Sequence, residues 1–137
     1  MEKTTAKGAT LLKVTGIIMI IGSALSFIIS IVAIVGIAQT IRNPFLTVSA
    51  VAVTAVIIAP IHLLIEFITG IVGVKNCKRP EKASTCITWG VLSALSCILV
   101  NLLTISSGGS FSAFSVILGL VLPVLFIIGA VQNKQES

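Results

Sequence analysis

Four long apolar runs dominate this chain: Val14 to Ala38, Val48 to Val74, Ala83 to Ile105 and Phe111 to Val131. Each exceeds the roughly 18 residues that mark a membrane span, and about 20 suffice to cross ~30 Å of hydrocarbon as a helix. Composition agrees: 56% hydrophobic residues, 9% charged residues and a mean hydropathy of +1.19 are a balance that no water-soluble domain of 137 residues needs. The predicted fold class is an all-α membrane protein, one membrane domain over residues 1–137, with spans at about 14–38, 45–75, 81–105 and 111–131. Almost nothing remains for a soluble domain, so any function resides in the membrane or at its surface.

The first run follows Lys3, Lys7 and Lys13 and ends near a Gly36-x-Ala38 that resembles a cleavage site. Its 25 residues, Val14 to Ala38, exceed the roughly 7 to 15 of a signal-peptide core, so it is read as a retained helix. Short loops rich in Lys and Arg stay on the cytoplasmic side. The N-terminal tail holds Lys3, Lys7 and Lys13, the second loop Lys75, Lys78, Arg79 and Lys82, and the C-terminal tail Lys134, while only Arg42 falls in an odd-numbered loop. A multi-pass protein of the plasma membrane is predicted, with both termini cytoplasmic and short outer turns around Gln39 to Pro44 and Ser106 to Ser110.

Punctuation fits this layout. Asn43 followed by Pro44 is predicted to cap and open the second helix, Pro80 and Glu81 to start the third, and Ser110 to cap the fourth. Pro60 cannot donate to the carbonyl of Val56 and predicts a bend in the over-long second span. Cys77 and Cys86 fall at the cytoplasmic side, a reducing compartment, and Cys97 lies deep in the third span. Cys86 and Cys97, three turns apart on one helix, are about 16 Å from each other at 1.5 Å per residue and cannot bridge. There is no CxxC pair, and a site built on Cys97 and His62 lacks further ligands, so neither a metal nor a cofactor is expected.

Winding each span at about 100° per residue sorts its faces. In the third helix Cys86, Gly90, Ser93, Cys97, Asn101 and Thr104 fall within about 80°, opposite Leu92, Leu95, Leu99 and Leu102. The first helix aligns Thr15, Gly22, Ser26, Ser30 and Ala33, the second Ala55, Ala59, His62, Glu66, Thr69 and Gly73, and the fourth, less cleanly, Ser112, Ser115, Gly119, Pro123 and Ala130. Membrane helices associate through close backbone approach at small residues and through interhelical hydrogen bonds. Four such stripes predict a compact antiparallel bundle of four transmembrane helices, with leucine, isoleucine and valine facing lipid.

One ionisable pair stands inside these runs: Glu66, the only acid in any of them, and His62, the only histidine, one turn before it. Such groups at membrane depth are costly to keep and mark a candidate site. Counted inward from the basic residues, Glu66 lies roughly 14 Å and His62 roughly 20 Å deep, with Ser26 near 20 Å and Ser93 and Pro123 near 16 Å. The predicted neighbours of the pair are therefore Ser26, Ser93 and the segment Gly119 to Pro123, with Cys97, Asn101, Ser30 and Thr69 as a secondary polar stripe. Two readings compete. In one, His62 and Glu66 bond to each other and to neighbouring serines as a polar clamp that fixes helix register. In the other, the pair exchanges a proton or coordinates a cation during transport, and a bundle this small then needs to act as an oligomer.

Lys75, Lys78, Arg79 and Lys82 crowd the inner headgroup level and are candidates for contact with anionic lipid, at about 1 kcal/mol per basic residue. Nucleic-acid binding has no support beyond the net charge of +5. There is no phosphate loop, no HExxH and no Ser, His and acid set in a polar pocket, so an enzyme is not expected. Ser23-Ala24-Leu25-Ser26 recurs as Ser93-Ala94-Leu95-Ser96, but Ser96 lies roughly 100° from the third helix's stripe, so no internal repeat is inferred.

The segments Gly70 to Ala83 (GIVGVKNCKRPEKA) and Leu118 to Ala130 (LGLVLPVLFIIGA), the latter trailed by Asn133-Lys134, resemble small four-span membrane proteins of Gram-positive bacteria. The resemblance covers about the last half of the chain and implies a membrane location without an activity. The four-span layout is also similar to claudins, tetraspanins and CD20-like proteins, but the large cysteine-bearing outer loop of the first two is missing. Small multidrug transporters share the size and a membrane glutamate, theirs being in the first helix and this one in the second. The function expected is a structural or interaction role in the membrane, as an accessory subunit of a complex, with a membrane-protein partner or a second copy; the alternative is an oligomeric proton- or cation-coupled transporter or channel using His62 and Glu66.

Overall fold

Each apolar run becomes one unbroken helix, because in hydrocarbon the backbone can satisfy its own polar groups only within the segment. The structure, a computed structural model, describes residues 7–45, 47–106, 108 and 113–135, without the side chains of Lys7 and Ser115. Helix α1 spans Lys7–Ile41, α2 Ala50–Asn76, α3 Ala83–Ser106 and α4 Ala113–Gln135, and a 3-10 turn at Pro80–Lys82 leads into α3. All four are long and apolar enough to cross a membrane. Ser110, the predicted cap of α4, lies outside the described residues.

Two ends differ from expectation. Helix α1 begins two turns before the predicted span because Gly8, Ala9 and Leu12 are buried and Gly8 packs on α4, which gives the extra turns a protein partner. Helix α2 is capped by Ser49, whose hydroxyl accepts from the Ala52 N–H at 3.2 Å, and not by Asn43. Asn43 instead closes the turn after α1: its N–H donates to the Thr40 carbonyl at 3.0 Å, and its Oδ1 accepts from the Phe45 N–H at 3.2 Å. An Asx turn two residues ahead competes with capping and wins here. Replacing Ser49 with alanine is expected to cost about 1 kcal/mol, measured as a lower Tm in detergent. Pro60 and Pro123 both lie inside continuous helices.

The helices form a ring in which α1 and α3 each pack on both α2 and α4. Its packing is uneven. Described residues with buried side chains extend only as far as Ser23 in α1 and Cys97 in α3, and begin only at Thr69 in α2 and Pro123 in α4. All of them lie toward the end that carries Lys13, Lys75, Lys78, Arg79, Lys82 and Lys134, called here the basic end. The opposite end, called here the open end, has no buried side chain among the described residues and carries a groove, so the bundle is tightly packed over about half its length.

Glycine accounts for the tight half. A Cβ on Gly70 would lie 2.7 Å from the Gly16 carbonyl oxygen, and one on Gly16 would lie 2.8 Å from the Gly70 carbonyl oxygen. A Cβ on Gly8 would meet the Gly129 carbonyl at 2.5 Å, and one on Gly129 the Leu12 backbone nitrogen at 2.9 Å. Both crossings bring backbone onto backbone, the close approach that holds helices together in lipid. On the axis, the fully buried ring of Phe126 fills the space left by the missing side chains of Gly73 and Gly90. A Cβ on Gly22 or Gly36 of α1, by contrast, would meet nothing within 4 Å. The buried face of α1 is thus Gly8, Ala9, Leu12, Thr15, Gly16, Met19 and Ser23, while in the stripe of small residues beyond it Gly22, Ser26 and Ala33 are exposed and Ser30 is half-buried.

Candidate functional site

Three ties fix α2 against α3. His62 Nδ1 stands 2.7 Å from Ser96 Oγ, the Thr69 hydroxyl, which donates to the Ile65 carbonyl of its own helix at 2.7 Å, shares that proton with the Trp89 carbonyl at 3.3 Å, and the Cys86 thiol donates to the Val72 carbonyl at 3.9 Å. From His62 to Thr69 is seven residues, matched by seven from Ser96 back to Trp89, so one antiparallel register holds throughout. The Ser96 hydroxyl gives its single proton to the Ser93 carbonyl at 2.8 Å. A Ser96 hydroxyl that donates there accepts from the His62 Nδ1–H, a role set by the tautomer of the ring.

The bond from His62 reaches Ser96, a residue off the predicted stripe, and not Ser26 or Ser93. A helix in a four-membered ring has two interfaces, and Ser96 serves the one with α2. Nor do His62 and Glu66 bond to each other. Ser26 is exposed and lies with Ser30, Ala33, Ala55, Ala59 and Thr104 along a groove of about 430 Å³ between α1, α2 and α3 at the open end. Asn101 turns back on its own helix, donating to the Cys97 carbonyl at 2.8 Å. Lys75, Lys78, Arg79 and Lys82 lie at the basic end, where Lys78, Arg79 and Lys82 are exposed and Lys75 is on the adjoining last turn of α2.

Glu66 occupies the step between the first two ties. His62 and Thr69 on either side of it bond to α3, yet the Glu66 carboxyl takes no hydrogen bond or ion pair among the described residues. Its direction follows from Gly73, whose side-chain position meets the Phe126 ring of α4 across the axis. Glu66 precedes Gly73 by seven residues, about 20° from two full turns, so it points the same way. Register places it opposite Leu92 and Ser93. Ser93 lies about 60° from Gly90, which faces Phe126, and about 60° from Ser96, which faces His62; it therefore aims between α4 and α2, at the axis. Ser93 is 0% exposed, and its hydroxyl has no hydrogen-bond partner among the described residues.

Helix α4 completes the surroundings. It runs in the same direction as α2, so Gly119, seven residues before Phe126, returns to the axis opposite Glu66. A Cβ on Gly119 would lie 3.0 Å from the Cys97 sulfur, and Cys97 is within electrostatic reach of Glu66. Pro123 has no N–H to give to the Gly119 carbonyl, which loses its helical partner. This level of the bundle thus holds a carboxyl, a buried hydroxyl and a carbonyl without its usual helical donor, with the buried Phe126 ring between it and the basic end. Gly119 and Pro123 are visible in the sequence as a small stripe; the freed carbonyl is readable from the proline alone.

Among the described residues no group of three His, Cys, Asp or Glu side chains could hold a metal ion, and Cys77, Cys86 and Cys97 are all free and buried. Comparison of the chain with protein-family models, with curated proteins and with solved structures finds no match.

Proposed function

We propose that this chain is an accessory membrane protein with a structural and interaction role, a rigid half-bundle that offers its open half to a transmembrane helix of another membrane protein. One observation carries the reading: the glycines of the basic end are each packed against a neighbouring helix, while Gly22 and Gly36 face open space beside the groove lined by Ser26, Ser30, Ala33, Ala55 and Ala59. In lipid, a small-residue face is where another helix approaches most closely. The distribution of Lys and Arg supports a plasma-membrane protein with its basic end cytoplasmic, and the cluster Lys75, Lys78, Arg79 and Lys82 suits contact with anionic headgroups there.

A photo-crosslinking residue at Ala33 or Ala55 is expected to join the chain to one defined membrane protein in native membranes, and Ala33→Leu to abolish the adduct made from Ala55. The same probe at Leu95, on the leucine face, is expected to give lipid adducts only. Lipid adducts from all three positions would overturn the reading. A second reading, an oligomeric proton- or cation-coupled transporter, draws on the unpartnered Glu66; the fully buried Phe126 ring, packed on Gly73 and Gly90 between that site and the basic end, favours the first.

A further inference from the structure

We propose that the Glu66 carboxylate, the Ser93 hydroxyl and the Gly119 carbonyl together bind one dehydrated alkali-metal cation on the axis of the bundle. The site stands independently of any partner at the open end. Its oxygens come from three different helices at one level: Glu66 makes no hydrogen bond among the described residues, Ser93 Oγ is buried without a partner, and Pro123 withholds the N–H that the Gly119 carbonyl would otherwise accept from.

Chemistry selects the ligand. Carboxylate, hydroxyl and carbonyl are hard oxygen donors, suited to alkali and alkaline-earth ions and not to zinc or copper. A single carboxylate balances one positive charge, and in a low-dielectric interior a second would be left unpaired, which excludes a divalent ion. The Glu66 carboxyl makes no hydrogen bond among the described residues, such as a protonated carboxyl would donate, whereas oxygens around a hard cation each stand roughly 2.3–2.6 Å from the ion and need not touch one another. Backbone carbonyls freed inside a membrane helix are tolerated where they line such a cavity. The groove past Ser26, Ser30 and Thr104 gives approach from the open end.

The test is thermal unfolding of the full-length protein in nanodiscs, with NaCl or KCl exchanged for choline chloride at constant ionic strength and pH. A saturable rise in Tm is expected with one or both alkali ions, about 10 °C where the ion exceeds its Kd a hundredfold, and none with choline. Glu66→Gln is expected to lose the response. Ser93→Ala removes a hydroxyl that has no partner, so it is expected to melt no lower than wild type in choline while needing at least tenfold more cation; it also keeps the test open should Glu66→Gln fail to fold. Identical melting in all three salts would overturn the proposal. So would a response that survives Glu66→Gln, which would be a surface salt effect, or melting that follows pH and not the alkali ion, which would make the ligand a proton.

Discussion

Gly70→Leu is expected to cost at least 3 kcal/mol and to abolish a single cooperative melting transition, while Gly36→Leu leaves Tm within about 2 °C of wild type. The contrast isolates the α1–α2 crossing. At Gly70 even a first carbon atom would stand 2.7 Å from the Gly16 carbonyl and 2.8 Å from a side-chain carbon of Ile20, and two of the three nearest atoms belong to backbone, which cannot rotate aside. Relief requires α1 to move outward, which also strips cover from Leu12 and Met19, both fully buried. At Gly36 the same side chain enters open space. Gly16→Leu is expected to match Gly70→Leu, and the double variant to cost less than the sum, since either change opens the same crossing. The single tryptophan, Trp89, whose carbonyl accepts from Thr69 one residue from Gly70, gives a fluorescence readout of that opening. Equal Tm values for Gly70→Leu and Gly36→Leu would show that close backbone approach is not what holds α1.

Helix number and approximate ends are legible in the sequence because hydrocarbon leaves the backbone one solution, and length alone then identifies a span. What a single helix cannot display is which part of its small-residue face finds a partner. Ser26 and Ser30 share a stripe with Thr15, yet Thr15 is buried and Ser26 is exposed, because α1 parts from its neighbours after Ser23. Asn43 has the chemistry of a cap but spends it on Phe45, and only the chain's path selects Ser49.

The candidate site is half legible for a related reason. Glu66 and Ser93 stand out as polar groups at matching depth, and the axis joins them in level and direction. Ser96 falls outside the one stripe that helical winding assigns to α3, but a helix in a ring has two interfaces, and the bond from Ser96 to His62 belongs to the second. The role of Pro123 combines two facts, its missing N–H and the place of Gly119, four residues before it, at the level of Glu66, of which the sequence displays only the first.

Phe126→Ala is expected to cost about 2 kcal/mol and to open the axis between Glu66 and the basic end. The figure sits below that for a phenylalanine in a soluble core because lipid is as apolar as the site, so the transfer contribution disappears and the cavity contribution remains, at roughly 24 cal/mol per Å³ of space left empty. Refilling should follow geometry and not hydrophobicity. Gly73→Ala places its methyl group into the Phe126 ring and is expected to destabilise the wild type, yet to restore part of the loss when combined with Phe126→Ala, where that methyl group occupies vacated space. Opening has a second readout in Cys97, buried beside Gly119 at the level of Glu66. With Cys77 and Cys86 replaced by serine, a small charged thiol reagent applied to the basic end is expected to modify Cys97 in Phe126→Ala but not in Phe126→Leu. Modification at the same rate in the wild-type ring would mean that Phe126 does not close the axis, and the transport reading would then regain the route that the ring denies it.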